Sequence, residues 1–150
     1  MISLNYPDSC LFFGVFSGVK PRLKRQRELS GAYFYGINKE HEDLVSTLTL
    51  GEVMMGLSEI PGEENKKLSF LNMGDLWKQM EVTSPQFEDC KLALELKEID
   101  YNLEPADALH LAMAINKKAN FFITLGERNL ASNPKIEEFC KTRGLKIRVL

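Results

Sequence analysis

The stretch Leu103–Thr124, LEPADALHLAMAINKKANFFIT, decides the fold. Pro105 stands where a helix would open, because its fixed φ suits the first helical position and its missing N–H costs nothing there. Ala108, Leu109, Leu111, Ala112, Met113 and Ile115 then cover most of the helix circumference, which predicts a buried helix rather than a surface one. Phe121–Thr124, FFIT, is a short aromatic and β-branched run that reads as a strand buried on both faces. A buried helix feeding such a strand implies a parallel sheet, since parallel neighbours need a crossover connection.

Outward from this stretch the same alternation repeats. ISLNYP at the start is a strand closed by Pro7, which cannot donate to a ladder. Val45–Leu50, VSTLTL, is a second β-branched run, and from Thr49 a helical pattern extends to the break at Pro61 and Gly62. A further helix is expected as far as Gln79, then a brief strand EVT at Glu81–Thr83. Ser84 as N-cap and Pro85 at the first helical position predict the helix PQFEDCKLALELKEIDY. PKIEEFCKTRG reads as an amphipathic helix with a glycine C-cap, followed by the last strand IRVL. The expected architecture is α/β, with three α/β/α layers and a central, mainly parallel sheet of four to five strands in one domain spanning residues 1–150.

Composition bounds the function. With 44% apolar and 27% charged residues the chain reads as globular, and its net charge of −2 gives no overall basic field for nucleic acid, so such binding needs a local patch. Lys20, Arg22, Lys24, Arg25 and Arg27, within KPRLKRQR, are the candidate for that patch, with an ordinary solvated helix start as the alternative. Tyr33, Phe34 and Tyr35 offer rings for base stacking, although an aromatic run is more often core or interface. His41, His110 and Trp77 have no evident partner in sequence and read as structural. Three widely spaced cysteines, Cys10, Cys90 and Cys140, argue against a disulfide framework and a zinc site and fit a reducing compartment. The early apolar run CLFFGVF is too short to span a bilayer and lacks a basic leader, so no membrane association is expected and the chain reads as cytoplasmic.

Ligands of open parallel sheets bind at the carboxyl ends of the strands. Asp8 follows the first strand, Glu52 lies in the first turn after the second, Asp107 opens the buried helix and Glu127 follows FFIT. Carboxylates converging there would repel one another unless a cation neutralised them, and oxygen-only ligands suit Mg²⁺ or Mn²⁺. Each acid also has a plainer explanation. TLGE at Thr49–Glu52, and again at Thr124–Glu127, matches a capping box. Asp107 suits a helix dipole, and Asp8 suits a turn or a cap.

The residues carry a resemblance. LEPADALHLAMAINKKANFFIT looks like the C-terminal half of the PIN-domain family of metal-dependent ribonucleases, which includes the VapC-type toxins of prokaryotic toxin-antitoxin pairs. STLTLGEVMMGL resembles that family's second acidic motif and NYPDSCLFF its first. The resemblance implies RNA phosphodiester hydrolysis with Asp8, Glu52 and Asp107 as catalytic, metal-site acids, Ser9 and Thr124 in supporting positions, a homodimer, and a protein antitoxin as partner. Family members usually end the last core strand with Thr-x-Asp, whereas Gly126 occupies the matching position here. Glu127, one residue later, would replace the missing ligand only if the loop turns at Gly126. A degenerate domain that binds RNA or protein without cleaving it is the alternative this substitution raises. A receiver-like or phosphate-binding domain is less consistent with the chain, which has no Gly-rich loop after its first strand.

Overall fold

A computed structural model describes residues 2–16, 24–126, 130 and 133–150. Five strands, β1 (Ser3–Pro7), β2 (His41–Ser46), β3 (Glu81–Thr83), β4 (Phe121–Thr124) and β5 (Lys146–Val149), form one sheet in the order β3-β2-β1-β4-β5. Every pairing is parallel, with registers such as Asn5↔Asp43, Tyr6↔Phe122, Ser46↔Thr83 and Thr124↔Val149. The helices among the described residues are α1 (Ser9–Phe13), α2 (Lys24–Tyr35), α3 (Thr47–Ser58), α4 (Glu63–Trp77), α5 (Phe87–Ile99), α6 (Pro105–Asn116) and α7 (Pro134–Thr142).

Side-chain alternation along the strands separates two cores. Tyr6, Leu44 and Phe122 pack with Leu96 of α5, Leu111 of α6 and Ile136 of α7. Val45 and Ile123 face the other way and pack with Phe12 of α1, Phe34 of α2, Val53 of α3 and Met73 of α4. These are the expected three layers. The predicted burial of α6 is complete along one side, with Ala108, Leu111, Ala112 and Ala114 at 0% exposure. At the end of α7, Gly144 takes φ +85°, and Leu145 N–H reaches the Cys140 carbonyl at 3.0 Å while Gly144 N–H reaches that of Lys141 at 3.1 Å, the double closure of a Schellman motif.

Several expected boundaries shift. The second strand begins at His41 and ends at Ser46, so Thr47–Leu50 belong to α3. Ser46, still extended at φ −107° and ψ 157°, is the N-cap, its Oγ accepting from Thr49 N at 3.1 Å. The proposed Thr49–Glu52 capping box is therefore absent, because Ser46 already satisfies that turn and Glu52 points elsewhere. α5 starts two residues later than Pro85 suggests: Gln86 N donates to the Asp89 carboxylate at 2.7 Å, closing a capping box, while the Ser84 hydroxyl accepts from Thr47. α4 ends at Trp77 and the last strand begins at Lys146. Thr124 closes β4 rather than capping a helix.

Because Leu111 is wholly buried in the core beneath β1 and β4, Leu111→Ala should cost about 2–5 kcal/mol of unfolding free energy, read from urea titration with an unchanged m-value.

Candidate active site

All five strands end on one edge, and the sequence puts acids there. β1 is central, flanked by β2 and β4, and Asp8 extends it by one residue, its N–H donating to the Ile123 carbonyl at 2.8 Å. Asp8 is then both the end of the strand and the N-cap of α1, because its Oδ1 accepts from Ser9 N at 2.8 Å. The side chain is fully buried, so its charge depends on local donors. The hydroxyls of Ser9 and Thr124 each stand 3.4 Å from a carboxylate oxygen, and the Cys10 thiol reaches Oδ2 at 3.4 Å. Both residues expected to support the site, Ser9 and Thr124, therefore touch Asp8. Cys10 was not foreseen, since a cysteine two residues after an acid carries no spacing signal.

Glu52, on the second turn of α3, is held by a different group: its Oε1 takes a hydrogen bond from His110 Nε2. His110 is wholly buried on α6, and its Nδ1 lies 2.6 Å from the Tyr6 hydroxyl. That hydroxyl donates to Ser46 Oγ at 2.8 Å, and Ser46 Oγ lies 3.2 Å from Thr49 Oγ1. The circuit runs from α3 through α6 and β1 back to the first turn of α3. His110 thus has two partners, contrary to the sequence expectation; its signal was its place among core residues, where an imidazole must find hydrogen bonds. Burial pushes the Tyr6 phenol well above its usual range, and the Glu52 and Asp8 carboxylates act in the same direction.

Asp107 is buried in the first turn of α6. It precedes His110 by three residues on the same helix face, and His110 contacts Tyr6, two residues before Asp8. Among the described residues no group of three or more His, Cys, Asp or Glu side chains is placed to hold a metal ion. Of the Glu52 carboxylate, Oε1 is engaged by His110. Asp8 and Asp107 are of the donor type a hard cation takes, since Mg²⁺ is commonly bound through one or two carboxylates with water and phosphate oxygens completing its sphere.

Gly126 follows β4 by two residues with φ +80°, and its N–H points at Thr124 Oγ1 at 3.4 Å. A Cβ at this position would stand 2.8 Å from Val149 Cγ1. The loop does turn here; Glu127 lies outside the described residues, as do Lys20 and Arg22.

Lys24, Arg25 and Arg27 are exposed on the first turn of α2, where no acid offsets them and the helix dipole disfavours cations. Arg27 also donates to the Phe16 carbonyl at 3.3 Å. Leu29 shares a cavity with Leu150, just beyond the carboxyl end of β5, while Tyr33 bonds to Asn5 and Asp43 in mid-sheet. Of the aromatic run, Phe34 is buried and Tyr33 stacks on His41; Tyr35 is exposed, with Lys39 Nζ 3.7 Å from its ring centre. His41 is likewise partnered, its Nδ1 2.7 Å from Asp43 Oδ1, and Trp77 packs near Phe12 as expected. No described helix is long and apolar enough to cross a membrane.

A family model described as PIN domain matches residues 6–135. Among solved structures, the chain is similar to VapBC2 of Rickettsia felis bound to a promoter DNA fragment, at 14% identity and TM-score 0.65 over 98% of each chain. It is also similar to VapBC-5 of Mycobacterium tuberculosis, at 10% identity and TM-score 0.65 over 99% of each chain. A third, VapC20 of Mycobacterium tuberculosis, a toxin that cleaves the sarcin-ricin loop, aligns at 16% identity and TM-score 0.62 over 86% of this chain and 95% of its own. At these identities the likeness is one of fold. No curated protein sequence matches.

Two predictions follow from local geometry. Gly126→Ala should destabilise the fold by about 1–2 kcal/mol through its left-handed φ and the Val149 contact, seen as a lower Tm. Burial pushes the thiols of Cys10 and Cys140 up to about 12 while Cys90 is exposed, so iodoacetamide at neutral pH should label Cys90 first in mass spectra of the native chain.

Proposed function

Since the chain belongs to the PIN-domain family, we propose that it is a metal-dependent endoribonuclease of the VapC toxin kind that hydrolyses RNA phosphodiesters at the carboxyl edge of its sheet. The observation that carries this is the buried Asp8 carboxylate, fixed by Ser9, Thr124 and Cys10 at the end of the central strand. A fully buried carboxylate at the end of the central strand is costly for stability alone, and it suits a site whose charge is matched on binding. Asp8 and Asp107 would hold Mg²⁺ or Mn²⁺. When bound, the cation supplies charge for the phosphate oxygens and lowers the pKa of a bound water. The chain's own part is to orient. Thr124 and Ser9 fix the direction of Asp8, and Glu52, 22% exposed, offers an acceptor for water. Lys24, Arg25 and Arg27, with Lys20 and Arg22 preceding them in sequence, would bind backbone phosphates on the substrate strand.

The solved neighbours include VapBC toxin-antitoxin proteins, and by that analogy the partner is a protein antitoxin. The exposed apolar side chains of α3 and α4, Met54, Met55, Leu68, Phe70 and Leu71, support protein contacts of this kind, including a homodimer. We take the chain as one domain working in the cytoplasm.

Gly126 favours a second reading, a PIN domain that binds RNA or protein without cleaving it. The position of the usual fourth acid is here a tight turn, and restoring an Asp would meet both the positive φ and Val149.

The deciding experiment is cleavage of a structured RNA by the purified chain with Mn²⁺ and with EDTA, beside Asp107→Asn. The nuclease predicts cleavage only with Mn²⁺ and a loss of at least about 10²-fold in the variant. Metal-independent binding with no cleavage by the wild-type chain would establish the second reading instead.

A further inference from the structure

On the opposite face of the sheet from His110, the chain's other histidine ties α2 to β2 through contacts whose protons can be counted. The His41 ring stacks on that of Tyr33, with centroids 4.3 Å apart and planes at 21°, and its Nε2 lies 3.1 Å from the Tyr33 backbone carbonyl. A carbonyl only accepts, so Nε2 carries a proton. The other ring nitrogen, Nδ1, lies 2.7 Å from Asp43 Oδ1. Without a further proton this contact would set a bare nitrogen against a carboxylate, two acceptors face to face. The contact therefore holds a proton, either on Nδ1 of an imidazolium or on Asp43 as a neutral acid, and in both forms the pair is neutral overall. Its surroundings make that proton costly to lose. The Tyr33 hydroxyl accepts from Asn5 Nδ2 at 3.1 Å and donates to Asp43 Oδ1 at 3.0 Å, while Asn5 Oδ1 and Asp43 Oδ2 are buried without partners. The network is thus already short of donors, and one more bare acceptor would add to the deficit. Burial pushes the Asp43 carboxyl up, with His41 opposing, and burial followed by the Asp43 charge pushes the Tyr33 phenol well above its usual range, so Tyr33 stays a donor. Two further charges face the pair. The Glu40 carboxylate borders the space beside Gly36, where a Cβ would stand 3.1 Å from it and 3.0 Å from His41 Nε2. Arg148 of β5 lines with His41 a cavity of about 460 Å³, and β1 adds only the neutral Ser3 and Asn5 to its walls.

We propose that His41 and Asp43 form a buried proton-binding site that latches α2 to the sheet, holding the helix at Tyr33 while the proton is bound and releasing it when the proton is lost at alkaline pH. In the unfolded chain an aspartate is ionised and a histidine neutral above about pH 6.5, so the unfolded pair holds one proton fewer than the folded pair. The stability that the latch contributes is therefore complete below about pH 6.5 and is lost as pH rises through the point at which the folded contact gives up its proton. Lys24, Arg25 and Arg27 ride on the first turn of α2, so the same proton sets the range of pH over which those cations are presented together. The latch is independent of the nuclease reading and of any cation.

The test compares the full chain with Asp43→Asn and His41→Gln across the range from about pH 6 to about pH 9. Urea unfolding should show the wild-type unfolding constant rising, relative to that of each variant, by up to about tenfold per pH unit above about pH 6.5. His110 is present in all three chains and cancels in the comparison. Nitrogen and carboxyl-carbon resonances of the wild-type chain at about pH 7.5, above the ordinary histidine range, should show His41 protonated on both ring nitrogens, or on Nε2 alone beside a neutral Asp43 carboxyl. Over the same range the amides of α2 should lose hydrogen-exchange protection relative to those of α6. A single ring N–H on His41 beside an ionised Asp43 carboxylate would overturn the proposal. Equal pH dependence in the wild type and the variants would do the same, and parallel loss of protection in α2 and α6 would remove the latch. If neither variant folds, the resonances and exchange of the wild-type chain decide.

Discussion

The burial of Asp8 is the constraint around which the rest of the structure is arranged. A carboxylate with no exposure at the end of the central strand is tolerated only where donors surround it, because an uncompensated buried charge costs several kcal/mol. The donors come from both sequence neighbours and a distant strand: Ser9 and Cys10 follow Asp8, while Thr124 arrives on β4, which pairs with β1 in parallel through Tyr6↔Phe122. The all-parallel sheet is what makes this meeting possible, since it brings the carboxyl ends of β1, β2 and β4 to one edge together with the first turns of α1 and α3.

Alternation along β1 then distributes polar groups to both faces of the sheet. Tyr6 points towards α6 and joins the His110–Glu52 circuit, while Asn5 points the opposite way and bonds to Tyr33, which donates to Asp43 at 3.0 Å. Burial raises the Asp43 pKa, with the adjacent His41 opposing the shift. The central strand therefore carries a hydrogen-bonded network on each face, and each network ties a covering helix to it: α6 on one side, α2 on the other. The network on the α6 side favours one packing arrangement over its neighbours, whereas the network on the α2 side leaves Asn5 Oδ1 and Asp43 Oδ2 buried without a hydrogen-bond partner. That fixed arrangement supplies the directional precision a phosphodiester-cleaving site needs.

What the sequence revealed was whatever local pattern decides. The α6–β4 segment was legible because a helix apolar around most of its circumference and a short β-branched run leave few alternatives, and Asp8, Ser9, Thr124 and Asp107 were legible as strand-end or first-turn positions. Partners were not legible. The second strand was read from Val45 rather than His41, because the mutual hydrogen bond of His41 and Asp43 at 2.7 Å exists only once the strand is formed. Ser46 and Thr49 are both hydroxyl residues able to cap α3, and only the pairing of Ser46 with Thr83 decides between them. Glu52 looked like either a cap or a metal ligand. Its actual partner lies 58 positions away on another helix, a separation no spacing rule spans. Gly126 was legible as a substitution, whereas its positive φ and its closeness to Val149 are properties of the folded loop.

The most direct test of the carboxyl edge as a cation-dependent site is a crystal structure grown with Mn²⁺ and examined by its anomalous scattering. The account predicts a peak on the Asp8 carboxylate within reach of Asp107, with Glu52 still bonded to His110. A peak coordinated by Glu52 with His110 released, or no peak at this edge at an Mn²⁺ concentration that supports cleavage, would contradict it.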